Sequence, residues 1–111
     1  AMDVVCIKIS KLEGINKACQ LRDLCASRGI SMTIEDTWGS DIVTAALSHL
    51  AARTLAKTLL KCCDLNSYLE GEIAEPISLQ ENGFLPVSES YGLGVEPNWQ
   101  VLGDPVFECA I

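Results

Sequence analysis

The stretch VVCIKI, residues 4–9, decides the fold prediction. It is a short run of mostly β-branched residues, and the side chains of a strand alternate between its two faces. Both faces are therefore apolar, except where Lys8 stands near the end of the run. Apolar residues on both faces are typical of a parallel strand that is covered on each side. We predict a buried parallel strand over residues 4–9.

The segments that follow alternate between helix-like and strand-like patterns. Helices are indicated by an apolar stripe at helical spacing and by capping residues, and strands by short β-branched runs. The predicted elements are a helix over Ile15–Arg28, a strand over Ile30–Ile34, a helix from Ser40 or Asp41 to about Lys57, and a strand over Thr58–Cys63. This β-α-β-α-β order predicts an α/β fold with right-handed crossovers and a parallel sheet.

The composition changes after residue 64. All four prolines and five of the eight glycines lie in residues 65–111. Proline and glycine interrupt regular elements, so this part is predicted to form turns and short irregular strands. We therefore divide the chain into residues 1–64, which hold the strands and helices, and a tail over residues 65–111.

Charge and hydropathy exclude several classes of partner. The 111 residues carry a net charge of −7, whereas nucleic acids and anionic membranes are bound by positive surfaces. No apolar run approaches the about 18 residues of a membrane span, and no charged-then-apolar leader opens the sequence. We expect a cytoplasmic chain with no nucleic-acid and no membrane partner. Its mean hydropathy of +0.25 is high for its size, which predicts apolar surface that contacts a neighbour.

Six cysteines allow three interpretations: reduced structural thiols, a disulfide pair or a metal site. No C-x-x-C spacing occurs, and the single histidine, His49, falls within a predicted helix. Cys6 and Cys62 lie in apolar runs, where a thiol packs as a small hydrophobe. Reduced structural cysteines are therefore predicted, and a cysteine redox protein is the interpretation that thiol titration would test.

Polar residues stand where the predicted strands end, and ligands of parallel α/β folds bind at that edge. They are Lys8, the cluster Glu35-Asp36-Thr37-Trp38, and Asp64 with Asn66. A lysine desolvated by apolar neighbours suits a general base that removes a carbon-bound proton, and carboxylates nearby suit a substrate ammonium. Structural roles remain open: a snorkelling lysine, a loop acceptor at Asp36, a turn residue at Asp64 and a packing role for Trp38.

Several segments resemble the muconate-lactonizing subgroup of the enolase superfamily. VCIKISKLEGI (residues 5–15) resembles its sixth-strand motif, and TIEDTWGSDI (33–42) looks like the end of its seventh barrel strand. DLN (64–66) is similar to its Asp-x-Asp element after the eighth strand, while GFLP (83–86) and YGLGV (91–95) resemble its tail. The Glu-Asp-Thr-Trp-Gly form is most similar to cis-3-hydroxy-L-proline dehydratases and proline-betaine epimerases.

The resemblance implies a partial TIM-barrel fold and a role for each candidate residue. Lys8 matches the sixth-strand acid/base lysine, Asp36 and Trp38 match residues near the substrate's amine, and Asp64 matches the first ammonium-binding carboxylate. Asn66 departs from the usual second aspartate, and Glu13 replaces the more usual glycine of the loop.

The resemblance also implies what these 111 residues lack. In the family, Mg²⁺ is bound by acids on the third, fourth and fifth strands, and a second lysine lies on the second strand. This chain is therefore expected to hold no metal ligand and to be inactive alone. The predicted function is the carboxy-terminal segment of a lyase or isomerase that abstracts the α-proton of a proline-type amino acid. The alternative is a non-catalytic fragment that folds by oligomerising. Expected partners are the amino acid and either a second copy or a chain that carries the missing strands.

Overall fold

The computed structural model describes residues 2–66, 70–77 and 80–109. Its regular elements are β1 (Val4–Lys8), α1 (Ile15–Ser27), β2 (Ser31–Glu35), α2 (Ser40–Ala52), β3 (Leu59–Cys62) and α3 (Trp99–Leu102), with a 3₁₀ turn over Ile9–Lys11. The predicted α/β order is confirmed. In the part of the chain described, no helix is long and apolar enough to cross a membrane.

The three strands form one parallel sheet in the order β1-β2-β3. Between β1 and β2 the register pairs Val4 with Ser31 and Lys8 with Glu35, so the two strands end side by side. The pairing of β2 with β3 shifts between Met32 and Thr33. All three carboxyl ends therefore lie at one edge of the sheet.

Both helices pack on the same face of the sheet. Helix α1 contacts β1 and β2, and α2 contacts β2 and β3, as expected when two right-handed crossovers advance in one direction. The core lies between these layers and contains Ile7, Ala18, Cys25, Met32, Ile34, Leu47, Leu50, Ala51 and Leu65.

The opposite face of the sheet, which carries Cys6, Lys8, Thr33 and Glu35, is called the open face below. Val4 and Cys6 are exposed there. The prediction that β1 is covered on each side is therefore wrong, as is the apolar packing predicted for Cys6. The physical reason is that both crossover helices lie against the face that carries Ile7.

Helix α2 is shorter than predicted. It ends at Ala52 rather than near Lys57. Just beyond this end, the Thr54 hydroxyl donates to the carbonyl of Leu50 at 2.8 Å. The predicted cap is also wrong, because Gly39 is the N-cap residue and no side chain bonds there. The backbone turns over residues 53–58 and returns to the sheet at β3.

Hydrogen bonds attach the tail to α2 along its length, beginning with the Leu65 amide, which donates to Thr44 Oγ1 at 3.2 Å. The buried Asp41 carboxylate accepts hydrogen bonds from the amides of Ile73 and Ala74 at 3.1 and 3.3 Å. Farther along α2, His49 Nε2 lies 3.1 Å from the carbonyl oxygen of Leu93. Instead of the predicted short strands, the described tail residues form one isolated antiparallel bridge and the single-turn α3.

Candidate functional site

The predicted site residues lie at the edge where the parallel strands end. Lys8 is the last residue of β1, Asp36 directly follows β2, and Asp64 stands two residues beyond β3. Lys8 is close enough to influence the charge of the Asp36 carboxylate. The Cys63 thiol, beside Asp64, is likewise within electrostatic range of Lys8. The fold therefore brings the predicted residues to one end of the sheet.

Lys8 is surrounded by polar rather than apolar groups. Its Nζ lies 3.7 Å from Glu35 Oε2, and 33% of its side chain is exposed. The expectation of a lysine desolvated by apolar neighbours is therefore wrong. The reason is the open face, where none of the described helices covers the end of β1.

Glu35 is a functional candidate to which the sequence pattern gave no role of its own. Its Oε1 accepts a hydrogen bond from Thr33 Oγ1 at 3.1 Å, while Oε2 faces Lys8. The neighbouring Cys6 thiol, the hydrogen bond from Thr33 and the charges of Lys8 and Lys61 hold the pKa of Glu35 below its ordinary value, although burial opposes this. The signal that could have found it was the parallel register, which places Glu35 beside Lys8 on one face.

Asp36 is buried, and both of its carboxylate oxygens are engaged by the protein. Oδ2 accepts from the Ser10 amide at 2.9 Å, and Oδ1 accepts from the Thr37 amide at 2.7 Å and from the Ser10 hydroxyl. Burial alone would raise the pKa of Asp36, but these hydrogen bonds outweigh it and the pKa lies below its ordinary value. Asp36 therefore links the loop after β1 to the end of β2. Its predicted contact with a substrate amine stays a prediction.

Trp38 and Asp64 differ from Asp36 in exposure. Trp38 is 70% exposed, whereas Asp64 is half-buried and its Oδ1 accepts from the Asn66 amide at 2.8 Å. The Asn66 side-chain amide donates to the Ile77 carbonyl at 3.2 Å. Its Oδ1 is buried without a hydrogen-bond partner among the described residues. The proposed substrate contacts of Trp38 and Asp64 stay predictions.

Cys6, Cys19, Cys25, Cys62 and Cys63 form no disulfide in this structure. Burial raises the pKa of Cys62 to about 11, and burial together with nearby carboxylates raises the pKa of Cys6 and Cys63. The thiolate is the reactive form of cysteine, so these surroundings do not favour a redox function. His49 lies inside α2, as predicted, and serves as a contact to the tail.

Comparison with known proteins identifies the family. A family model described as enolase C-terminal domain-like matches residues 1–101. The chain belongs to the enolase superfamily. The predicted resemblance to the mandelate racemase/muconate lactonizing group is confirmed by the structures that superpose on it.

This enolase-superfamily chain has close relatives in both sequence and structure. It is 50% identical over 106 residues to cis-3-hydroxy-L-proline dehydratase of Roseibium aggregatum. The aligned residues make up 96% of this chain and 29% of the dehydratase. A mandelate racemase/muconate lactonizing enzyme from Roseovarius nubinhibens superposes with a TM-score of 0.90 at 34% identity, covering 98% of this chain and 30% of that one. The chain thus spans about 30% of the length of these relatives.

Magnesium is present in more than one of the similar structures. One of them is a magnesium complex of a mandelate racemase/muconate lactonizing enzyme from Roseovarius nubinhibens, with a TM-score of 0.88 and 34% identity, covering 95% of this chain and 29% of that one. Among the described residues of the present chain, no three His, Cys, Asp or Glu side chains converge as metal ligands would.

Proposed function

We propose that this chain supplies the carboxy-terminal barrel strands, and one acid/base lysine, of a dehydratase or epimerase that acts on a proline-type amino acid. The observation that carries the proposal is the position of Lys8. Its amine stands at the carboxyl end of β1, on the open face, at the edge shared with Asp36 and Asp64. The 50% identity to a cis-3-hydroxy-L-proline dehydratase supports the choice of substrate class.

Lys8 would transfer the proton bound to the α-carbon. In its neutral form the amine takes that proton and becomes an ammonium, while the electron pair of the C–H bond stays on the substrate. In an epimerisation, a proton returns to the α-carbon from the opposite side. In a dehydration, the electron pair forms the C=C bond and the hydroxyl on the neighbouring carbon leaves as water after accepting a proton.

The remaining site residues would recognise the substrate's amine. Asp64 offers a half-buried carboxylate at the end of the sheet, and the exposed ring of Trp38 offers a face for a cation. Asp36 would contribute negative charge while its oxygens stay bound to Ser10 and Thr37. A secondary ammonium or a quaternary betaine nitrogen fits this combination of charge and aromatic surface.

The test is to complete the chain with the rest of a relative. In the Roseibium dehydratase, the 106 aligned residues are replaced by those of this chain, and the dehydration of cis-3-hydroxy-L-proline is followed by NMR with Mg²⁺. We expect a folded, active chimera. Lys8→Ala should lower kcat by about 10²- to 10⁴-fold, the range that general acid–base groups contribute.

Lys11→Ala is the matched control for Lys8→Ala. Lys11 is an exposed lysine three residues farther along the chain, and its removal should leave kcat within about twofold. A chimera that folds, as judged by circular dichroism and thermal unfolding, but neither dehydrates the substrate nor exchanges its α-proton would contradict the proposal. Activity in that chimera that survives Lys8→Ala would contradict the role of Lys8.

The isolated chain provides a second measurement. We expect no α-proton exchange in D₂O with Mg²⁺ for proline, cis-3-hydroxyproline or proline betaine, because a lone lysine cannot stabilise the developing carbanion. Exchange that disappears in Lys8→Ala would show that the assembled chain forms a complete site. The expectation that the chain is inactive alone would then be wrong.

The alternative function is a non-catalytic chain that associates with copies of itself. The observation that favours it is the open face, where Val4 and Cys6 are exposed on a strand that pairs on one side only within the described part of the chain. A chimera without activity, together with a stable oligomer of the isolated chain, would favour this alternative.

A further inference from the structure

Four side chains form two cross-strand rows on the open face. The parallel register places Cys6 beside Thr33 and Lys8 beside Glu35. Residues two apart on a strand share a face, so Thr33 and Glu35 are also neighbours along β2. Glu35 therefore lies at a corner where it can contact all three of the other side chains.

One oxygen of the Glu35 carboxylate accepts a hydrogen bond from Thr33, and the other oxygen faces Lys8. Thr33 Oγ1 donates to Oε1 at 3.1 Å, and Oε2 lies 3.7 Å from the Lys8 amine. The other charged or titratable groups facing this pair are Cys6 on β1, Asp36 after β2, and Lys61 and Cys63 at the end of β3. The neighbouring Cys6 thiol, then the Thr33 hydrogen bond, and the charges of Lys8 and Lys61 keep the pKa of Glu35 below its ordinary value against the effect of burial.

A stabilising role explains this arrangement poorly. About a quarter of the Glu35 side chain and a third of the Lys8 side chain are exposed, and ion pairs with that exposure add little to folding free energy. A long lysine side chain has several rotatable bonds, however, and proton transfer requires its amine at one position. A carboxylate fixed to its own strand by Thr33 restricts where the amine can lie.

We propose that Glu35 is a positioning residue that holds the Lys8 amine at the end of β1 for proton transfer. The inference rests on the proposed acid/base function of Lys8. Glu35 acts through Lys8 and does not itself contact the substrate. Thr33 in turn orients Glu35.

The test uses the active chimera described above, with Glu35→Gln, which keeps the shape of the side chain and removes its charge. We expect kcat to fall by about 10²-fold, the cost of a misplaced reacting group, with KM changed less than about twofold. The α-deuterium isotope effect on kcat should rise, because proton transfer becomes slower relative to the other steps. Loss of folded protein would instead lower the active fraction and leave the isotope effect unchanged.

Two further variants separate the role of Glu35 from general effects of charge. Glu13→Gln removes the same charge from an exposed loop and should leave kcat and the isotope effect unchanged. Thr33→Val removes the hydroxyl that holds Oε1 and should lower kcat by about tenfold. In the Glu35→Gln background, Thr33→Val should have little further effect, because the two residues act in series.

A chemical measurement on the same chimera does not depend on turnover. Limited acetylation followed by mass spectrometry compares the modification rate of Lys8 with that of Lys11 in one molecule. In Glu35→Gln the ratio should increase, because the Lys8 amine is no longer held 3.7 Å from a carboxylate oxygen and meets the reagent more freely. An unchanged ratio, or a kcat within twofold of the parent, would overturn the inference, whereas an inactive parent chimera would overturn the proposed function itself.

Discussion

Among the predicted site residues, Asp36 has a carboxylate that the protein already uses. Its three hydrogen bonds join the loop after β1 to the end of β2. Asp36→Asn replaces one acceptor oxygen by an NH₂ donor that would face the amide of Ser10 or Thr37. We expect the free energy of unfolding at neutral pH to fall by about 1–3 kcal/mol, the cost of leaving buried polar groups unpaired. Urea denaturation measures this change.

The pH dependence of stability gives a second test of Asp36. Its pKa in the folded state lies below the ordinary value of 3.8, so the folded state binds the proton less tightly than the unfolded chain. The stabilisation is then complete above pH 3.8 and is lost as the pH falls through the lower folded value. Asp36→Asn should weaken the dependence in this window, whereas Asp104→Asn, in the exposed end of the tail, should leave it unchanged. Curves for wild type and Asp36→Asn that run parallel would contradict the prediction.

Glu13 is a residue whose backbone conformation conflicts with its side chain. Its φ of 61° lies in the left-handed region, which costs a residue with a Cβ roughly 1–2 kcal/mol relative to glycine. Replacing Glu13 by glycine would remove this cost, but the greater conformational freedom of glycine in the unfolded chain offsets part of the gain in stability. We therefore expect Glu13→Gly to raise the free energy of unfolding by up to about 1 kcal/mol, measured by urea denaturation. Glu13→Ala removes the same side chain but keeps Cβ, and an equal gain in that variant would show that backbone strain is not the cause.

At the scale of elements, α2 connects the sheet to the tail. Asp41 in its first turn binds the amides of Ile73 and Ala74, and His49 contacts the Leu93 carbonyl. Asp41→Ala removes the buried acceptor and should increase hydrogen exchange at residues 73–74 by more than tenfold, because these amides lose their protein partner. Exchange within β2 should change much less. Equal acceleration in both segments would indicate global destabilisation rather than release of the tail.

The sequence predicted the order of elements better than their ends. Strand runs and helical stripes depend on local periodicity, so β1, α1, β2, α2 and β3 were all found. The end of α2 was missed because residues 53–57 contain no glycine or proline, and the turn back to β3 depends on tertiary packing. The placement of Lys8, Asp36 and Asp64 at the strand ends followed from the strand pattern, and their roles at that edge stay predictions. The role of Glu35 depends on register, which the sequence leaves open until strands are paired.

At the scale of the whole molecule, the described sheet has unpaired strand edges and one uncovered face. In the described part of the chain, β1 and β3 each pair on one side only, and the open face has no covering layer. Beside β3 there is also a cavity of about 520 Å³, whose apolar lining includes Ala51, Ala52, Leu59, Leu60, Leu85 and Val87. Unpaired strand edges and apolar surface of this kind favour association.

We therefore expect the isolated chain to associate through the edge formed by β3. Sedimentation equilibrium should give a mean mass that rises above the 12.0 kDa of one chain as concentration increases. Leu60 is 58% exposed on β3, so Leu60→Lys places a charge in this contact without creating a cavity in the core, and the mass should shift toward the monomer. Val106→Lys makes the same kind of change at a fully exposed tail residue and should not. A measured mass of one chain at every concentration would contradict the prediction of association. An oligomer whose mass does not change in Leu60→Lys would place the contact elsewhere, on β1 or the open face.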